Sequence, residues 1–266
     1  MSEELINKVL AEVVKKMGGD DPAPSAAPAP TPAAGALPAV TEFVGTNVLG
    51  DTIAMVIANV DPKLRAMMKL EKDFRSIGIL GARTGAGPHI FAADEAVKAT
   101  HSEILTIELP RDTKGGAGHG SLIIFGAEDV SDARRAVEVS LGELDRTFGD
   151  VYGNDAGHLE FQYTARASYA LNKAFGAPIG KAFGITVGAP AGIGVVLADT
   201  AVKAATVDVI GYASPAGGTS YSNEVISFLS GDSGAVRQAI IAAREVGIPL
   251  LGALGAKPES TTTPYI

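Results

Sequence analysis

The chain has 266 residues, 46% of them apolar, with a formal net charge of −8 and no cysteine. The acidic balance argues against a nucleic-acid binder, which needs a basic face to neutralise phosphate. The missing cysteine excludes disulfides, thiolate-ligated zinc and thiol catalysis, and fits a reducing cytosol.

The opening Ser2-Glu3-Glu4 has neither the basic nor the apolar region of a secretory signal. Residues 1–18 read as an amphipathic helix, with Leu5, Ile6, Val9, Leu10, Val13, Val14 and Met17 on one stripe. Ser2 can cap it, Glu3, Glu4, Lys15 and Lys16 complement its dipole, and Gly18 and Gly19 end it. So short a helix needs something to bury its stripe, so we read it as a docking peptide for a partner's groove. The alternative is that it packs back on its own domain, or frays. Residues 19–40 are Pro/Ala-rich and form an extended spacer.

The remainder is a duplication. Ala93-Asp94-Glu95-Ala96-Val97-Lys98-Ala99 returns as Ala198-Asp199-Thr200-Ala201-Val202-Lys203-Ala204, about 105 residues on, and Gly87 and Ile90 fall on Gly192 and Val195. Asp129, Arg134, Ala136 and Val137 fall on Asp232, Arg237, Ala239 and Ile240. Two similar domains are expected, over 41–151 and 152–258, with a tail over 259–266. In each, a strand (53–60; 159–164) leads through a linking helix (62–72; 169–175) to a second strand (77–80; 183–187). A glycine turn and helix follow (88–100; 194–205), then a third strand (104–109; 207–212), a glycine-rich loop, a fourth strand (122–125; 225–229) and a last helix (131–147; 233–246). This α/β (α+β) pattern predicts two small sheets, each with helices on one face. The longest uncharged apolar run, 182–198, is broken by Gly184, Gly188, Pro190, Gly192 and Gly194, so it reads as strand, turn and helix and not as a membrane span.

Ala198-Asp199, Ala201, Lys203-Ala204, Gly211-Tyr212, Gly217-Gly218 and Gly231-Asp232 together resemble the bacterial microcompartment (BMC) shell domain. The first copy departs, with Glu108-Leu109 where Gly-Tyr would stand. Over residues 41–266, RSIGILGARTGAGPHI, ELPRDTKGGAGHGSLII, ELDRTFGDVYGN and QYTARASYAL are similar to the tandem B-type shell proteins of propanediol-utilisation microcompartments. The resemblance implies circularly permuted tandem BMC domains, each a small, mainly antiparallel sheet with helices on one face, and a homotrimer whose six domains mimic a hexagonal tile. It also implies a non-enzymatic shell protein of the bacterial cytoplasm. Its implied partners are other shell proteins, encapsulated enzymes through the N-terminal helix, and small diols or polyols in pores.

The loop Thr113–Gly120 suggests a phosphate cradle, but the GxxxxGK[ST] order is absent and strands flank it. A pore border is the preferred reading, formed by Lys114, Gly115, Gly116 and His119 together with Gly217, Gly218, Thr219 and Ser220 of the second copy, although Lys114 and His119 have no counterparts there; an ordinary flexible connection is the alternative. Glu108, Glu160 and Gln162 interrupt apolar strands, and we expect them to line a small-polyol passage, with a solvated sheet face as the alternative. The family position of Lys98 and Lys203 implies a tile edge. His89, His101, His119 and His158 show no metal-ligand spacing and no catalytic constellation is visible, so neither metal, cofactor nor catalytic residue is expected. The competing readings are a duplicated α/β enzyme or binding protein using loop 113–120, and an oligomeric metabolite sensor.

Overall fold

The structure, a computed structural model, describes residues 40–70, 72–111, 119–217 and 223–266. The expected N-terminal helix and almost all of its spacer lie outside the described residues.

The first half runs β1 (Phe43–Asn47), a short 3-10 turn, β2 (Thr52–Ile57), α1 (Pro62–Met68), β3 (Ser76–Ala82), α2 (Ala86–Ala99), β4 (Glu103–Glu108), β5 (Ser121–Ala127) and α3 (Val130–Thr147). The second runs β6 (Val151–Asn154), β7 (Gly157–Thr164), α4 (Tyr169–Phe175), β8 (Ala182–Ala189), α5 (Ala191–Ala204), β9 (Asp208–Ala213), β10 (Val225–Gly231), α6 (Ser233–Gly252) and β11 (Glu259–Ser260). The sheets are ordered β1-β2-β3-β5-β4 and β11-β6-β7-β8-β10-β9, antiparallel throughout.

Local chemistry sets the element ends. Asp61 starts α1 by accepting from the Lys63 and Leu64 amides, with Pro62 at the first helical position. That helix stops at Met68, short of the expected 72, because Lys69 turns left-handed at φ 53°. Beyond the expected elements stand β1, β6 and β11, short strands with too few residues to show an alternation.

Strand alternation then decides what packs where. On β8, Gly184 lies against Val236 and Ile240 of α6, and Gly188 against Gly194 of α5. Phe183, Ile185 and Val187 point the other way, into a core shared with α2 and α4. The second sheet therefore carries α5 and α6 on one face, as expected, while its opposite face is buried as well. Phe91 of α2 stacks on Phe183 at 5.9 Å between ring centroids, and Phe175 of α4 stacks on Phe228 at 4.8 Å. Rings at such separations contribute about 0.5–1.5 kcal/mol per pair beyond their burial.

A polar fastening joins the same elements. Asp94 of α2, 1% exposed, accepts from the Ser168 and Leu171 amides at the start of α4 and pairs with Lys98 at 2.9 Å. α4 lacks a side-chain cap of its own, so the other half supplies it.

The tail is fastened through Asp150, which is fully buried. Its Oδ1 receives Arg244 at 2.6 Å, its Oδ2 receives the Tyr265 and Ile266 amides, and Arg244 also donates to the Ile266 carbonyl. Asp150→Ala leaves a largely buried guanidinium without its aspartate counter-charge and two amides without their acceptor. We expect a loss of about 3–5 kcal/mol in urea denaturation; a loss below about 1 kcal/mol would mean the tail is held by its apolar contacts alone.

Candidate functional site

The site follows from the alternation of β7. Leu159 and Phe161 face α6 and belong to the core of the second half. His158, Glu160 and Gln162 therefore share the opposite face, beside Ile185 and Val187, and look towards the first half. They are 8%, 7% and 0% exposed.

Facing them is the start of α2. Gly85 caps that helix with φ 78°, and a side chain there would collide with the Phe148 ring at 2.3 Å. Two residues on, a Cβ on Gly87 would stand 3.1 Å from Gln162 Oε1 and 3.3 Å from Glu160 Oε2. Glycine at 87 thus keeps space open in front of both polar groups. That space is a cavity of roughly 40 Å³ between the halves, lined chiefly by Gly87, Leu109, His119, Glu160, Phe175 and Glu224. Its walls are otherwise apolar, from β8 and β10.

The polar wall is electrostatically coupled. His158 Nε2 stands 3.2 Å from Glu224 Oε2. Burial works to lower the His158 pKa, but the hydrogen bond to Glu224 and the charges of Glu160 and Glu224 outweigh it, and the net direction is up. Burial pushes Glu160 up to about 7, opposed by His158 and reinforced by Glu224. Burial lowers the pKa of His119. The Gln162 amide has no hydrogen-bond partner for its oxygen or its nitrogen among the described residues. A fully buried amide is costly in that state, and a hydroxylated solute supplies both the donor and the acceptor it lacks.

The expected residues distribute as follows. Glu160 and Gln162 come together on the wall. Glu108 does not join them: a bulge between Ile104 and Thr106 shifts the alternation of β4, leaving Glu108 exposed and Leu109 at the cavity. His119 lies at the cavity, and Gly217 closes a small turn with Ser214. Lys114, Gly115, Gly116, Gly218, Thr219 and Ser220 lie outside the described residues, as do Leu5, Ile6, Val9, Leu10, Val13 and Val14. Lys98 is engaged by Asp94 and Glu95, whereas Lys203, with a side chain 72% exposed, pairs with Asp199. His89 is a neutral core residue whose Nδ1 lies 2.6 Å from the Gly85 carbonyl and whose Nε2 lies 2.6 Å from the Thr52 hydroxyl. Burial lowers its pKa to about 4. Glu224 and His158 are site residues that single-sequence reading missed. Among the described residues no cluster of histidine and carboxylate side chains has metal-binding geometry, and no helix is long and apolar enough to cross a membrane.

Comparison with known proteins places these features in a family. The BMC domain model matches residues 182–255, beginning on β8, so β6 and β7 precede the matched segment as a permutation requires. The chain is 62% identical to the bacterial microcompartment shell protein PduB of Citrobacter freundii, over all of this chain and 99% of that one. It is 53% identical to PduB of Limosilactobacillus reuteri over 85% of this chain and 95% of that one. Among solved structures it matches a trimeric microcompartment shell protein PduB with TM-score 0.83 and 53% identity, covering 85% of this chain and all of that one. It also matches EtuB from Clostridium kluyveri, with TM-score 0.82 and 56% identity, over 86% of this chain and all of that one.

The Glu160 shift sets a pH dependence. In the folded chain Glu160 holds its proton to about pH 7, whereas its ordinary value is 4.5, so folding is progressively opposed as pH rises between those limits. The raised His158 pKa adds a loss in the same direction above 6.5. Glu160→Gln removes the first contribution, and its unfolding free energy should fall on the order of 2–3 kcal/mol less than the parent's between pH 4.5 and 8. Denaturant titrations at each pH measure this, and identical slopes would mean that Glu160 is hydrated and ionised throughout.

Proposed function

We infer the function of this chain from the family to which it belongs, the PduB shell proteins of bacterial microcompartments. It is a structural subunit of the shell and not an enzyme. Three copies associate around a three-fold axis, so that two similar halves per chain make a tile of near-hexagonal outline. The trimeric state of the solved relative and the full-length identity to PduB support this reading.

The cavity between the sheets is the passage through the tile for small polyols such as propane-1,2-diol. One observation carries this assignment: Glu160 lines the cavity with His119 and Glu224, His158 and Gln162 are buried beside it on the same face of β7, and Gly87 leaves room before Glu160 and Gln162. A polar row in that setting needs a partner that hydrogen-bonds both ways, which a diol is and an aldehyde, lacking a donor, is not. Residues 1–18 tether encapsulated enzymes, on a spacer long enough to let the helix reach them. Lys203 stands at the tile edge, where its exposure leaves it available to a neighbouring tile.

The purified chain should sediment with the mass of three copies and appear in negative stain as hexagonal tiles that order laterally on concentration. A monomer or dimer without lateral order would overturn the tile. Deleting residues 1–38 should leave the trimer intact while enzymes wash out of isolated shells, and cargo retained at the parent level would end the tethering role.

A further inference from the structure

The cavity gathers ionisable groups from both halves of the chain. Across the β7–β8–β10 face the residues stand in rows. Gln162, Ile185 and Phe228 form one row, and Glu160, Val187 and Ile226 form the next. The third begins with His158 opposite Ala189, and Glu224 lies one step beyond the Val225–Gly188 pair. His158 and Glu224 thus come together across the end of β8, 3.2 Å apart. From the first half comes His119, whose carbonyl accepts the Ala86 amide at 3.0 Å and so fixes it at the start of α2. It lines the cavity with Glu160 and Glu224, and the charge of Arg111 acts on it. The rest of the lining, from Gly87 of α2 to Phe175 of α4, Val187 of β8 and Ile226 of β10, carries no ionisable side chain.

His158, Glu160 and Glu224 are all buried, so water and salt screen their charges poorly. With a proton on each of His158 and Glu160, His158 is positive, Glu224 negative and Glu160 neutral, and the wall sums to zero. When both protons leave, Glu160 and Glu224 make the same wall doubly negative. Both losses fall near neutrality. Burial raises Glu160 to about 7. For His158 burial acts downward, but the hydrogen bond to Glu224 and the charges of the two glutamates carry it above its ordinary 6.5. An ionised Glu160 favours a charged His158, so the two protons leave as a coupled pair. Burial lowers His119, which adds no compensating positive charge as the pH rises above 6.5.

We propose that His158, Glu160 and Glu224 form a proton-operated charge filter: neutral while two protons are held among them, and doubly negative, favouring cationic solutes over organic anions, once those protons have left. A unit charge a few ångströms from a buried carboxylate is favoured or opposed strongly enough to change binding about tenfold or more. An uncharged diol feels the change far less. It still donates to an ionised Glu160 and loses only the donor that the protonated acid offered. The coupling is reciprocal, so a bound cation promotes release of the protons and a bound anion promotes their retention.

The proposal rests on the polyol passage described above, and three solutes of one skeleton separate the two. Propane-1,2-diol is uncharged, lactate is its anionic analogue, and protonated 1-aminopropan-2-ol its cationic one. Lactate and the amino alcohol compete against isotope-labelled diol in equilibrium dialysis of the full chain at about pH 6 and about pH 8. Any effect of pH on the diol itself cancels in the ratio of the two competitors. The amino alcohol should gain about tenfold or more on lactate over that range. A ratio that stays constant while the diol remains bound would sink the filter alone, and a chain that binds no diol at either pH would sink the passage and the filter with it. Glu160→Gln, which cannot ionise there, should show a gain smaller by about threefold or more; the full gain would take the charge away from Glu160. A carbon-13 titration of the Glu160 carboxyl in the parent needs no variant. Its midpoint should lie near 7, and a midpoint near the ordinary 4.5 would overturn the proposal.

Discussion

Everything in the described fold hangs on the burial of α2 from two sides at once. Its small residues Ala92, Ala93 and Ala96, all fully buried, let neighbouring elements come close, while Ile90 and Phe91 are packed into the core of the molecule. A helix buried over most of its surface belongs inside a larger core, and here that core is shared by both halves. Full burial of a residue such as Phe91 contributes roughly 1.5–3 kcal/mol, and Asp94 adds the caps on α4. The seat of α2 also sets the position of Gly87, and with it the depth of the cavity before Glu160 and Gln162.

That seat explains how a polar site survives in the junction. The apolar rows of β8 and β10 carry the association, so β7 is released to hold three polar residues. Their charges are balanced locally, His158 against Glu224, and Glu160 stays neutral until about pH 7. The wall thus offers hydrogen bonds without a strong net field, which suits an uncharged solute better than an ion.

Much of this was legible in the chain alone, for reasons that differ between elements. The duplication and the order of strands and helices rested on long repeated stretches, the antiparallel pairing came with the family resemblance, and Glu160 and Gln162 were visible as polar breaks in an apolar strand. Glu108 looked the same by that test, but a bulge in β4 turned it outward, and no sequence pattern announces a bulge there. Glu224 and His158 are far apart in the chain and meet only because β7 and β10 flank β8. The two lysines read alike as well, yet Lys98 balances a buried aspartate and Lys203 does not. The contrast arises from which copy of the helix is covered, a property of tertiary packing.

The shared core also bears on how such a chain can evolve. Once Phe91 of one half completes the core around Phe183 and Phe228 of the other, neither half keeps a whole interior of its own. A gene split near residue 150 would release two fragments with bare aromatic faces, prone to stick to whatever they met. Fusion of the two modules thus acts as a ratchet: each half can dispense with features that the other supplies, as α4 takes its N-terminal cap from Asp94, and separation into single modules would undo both.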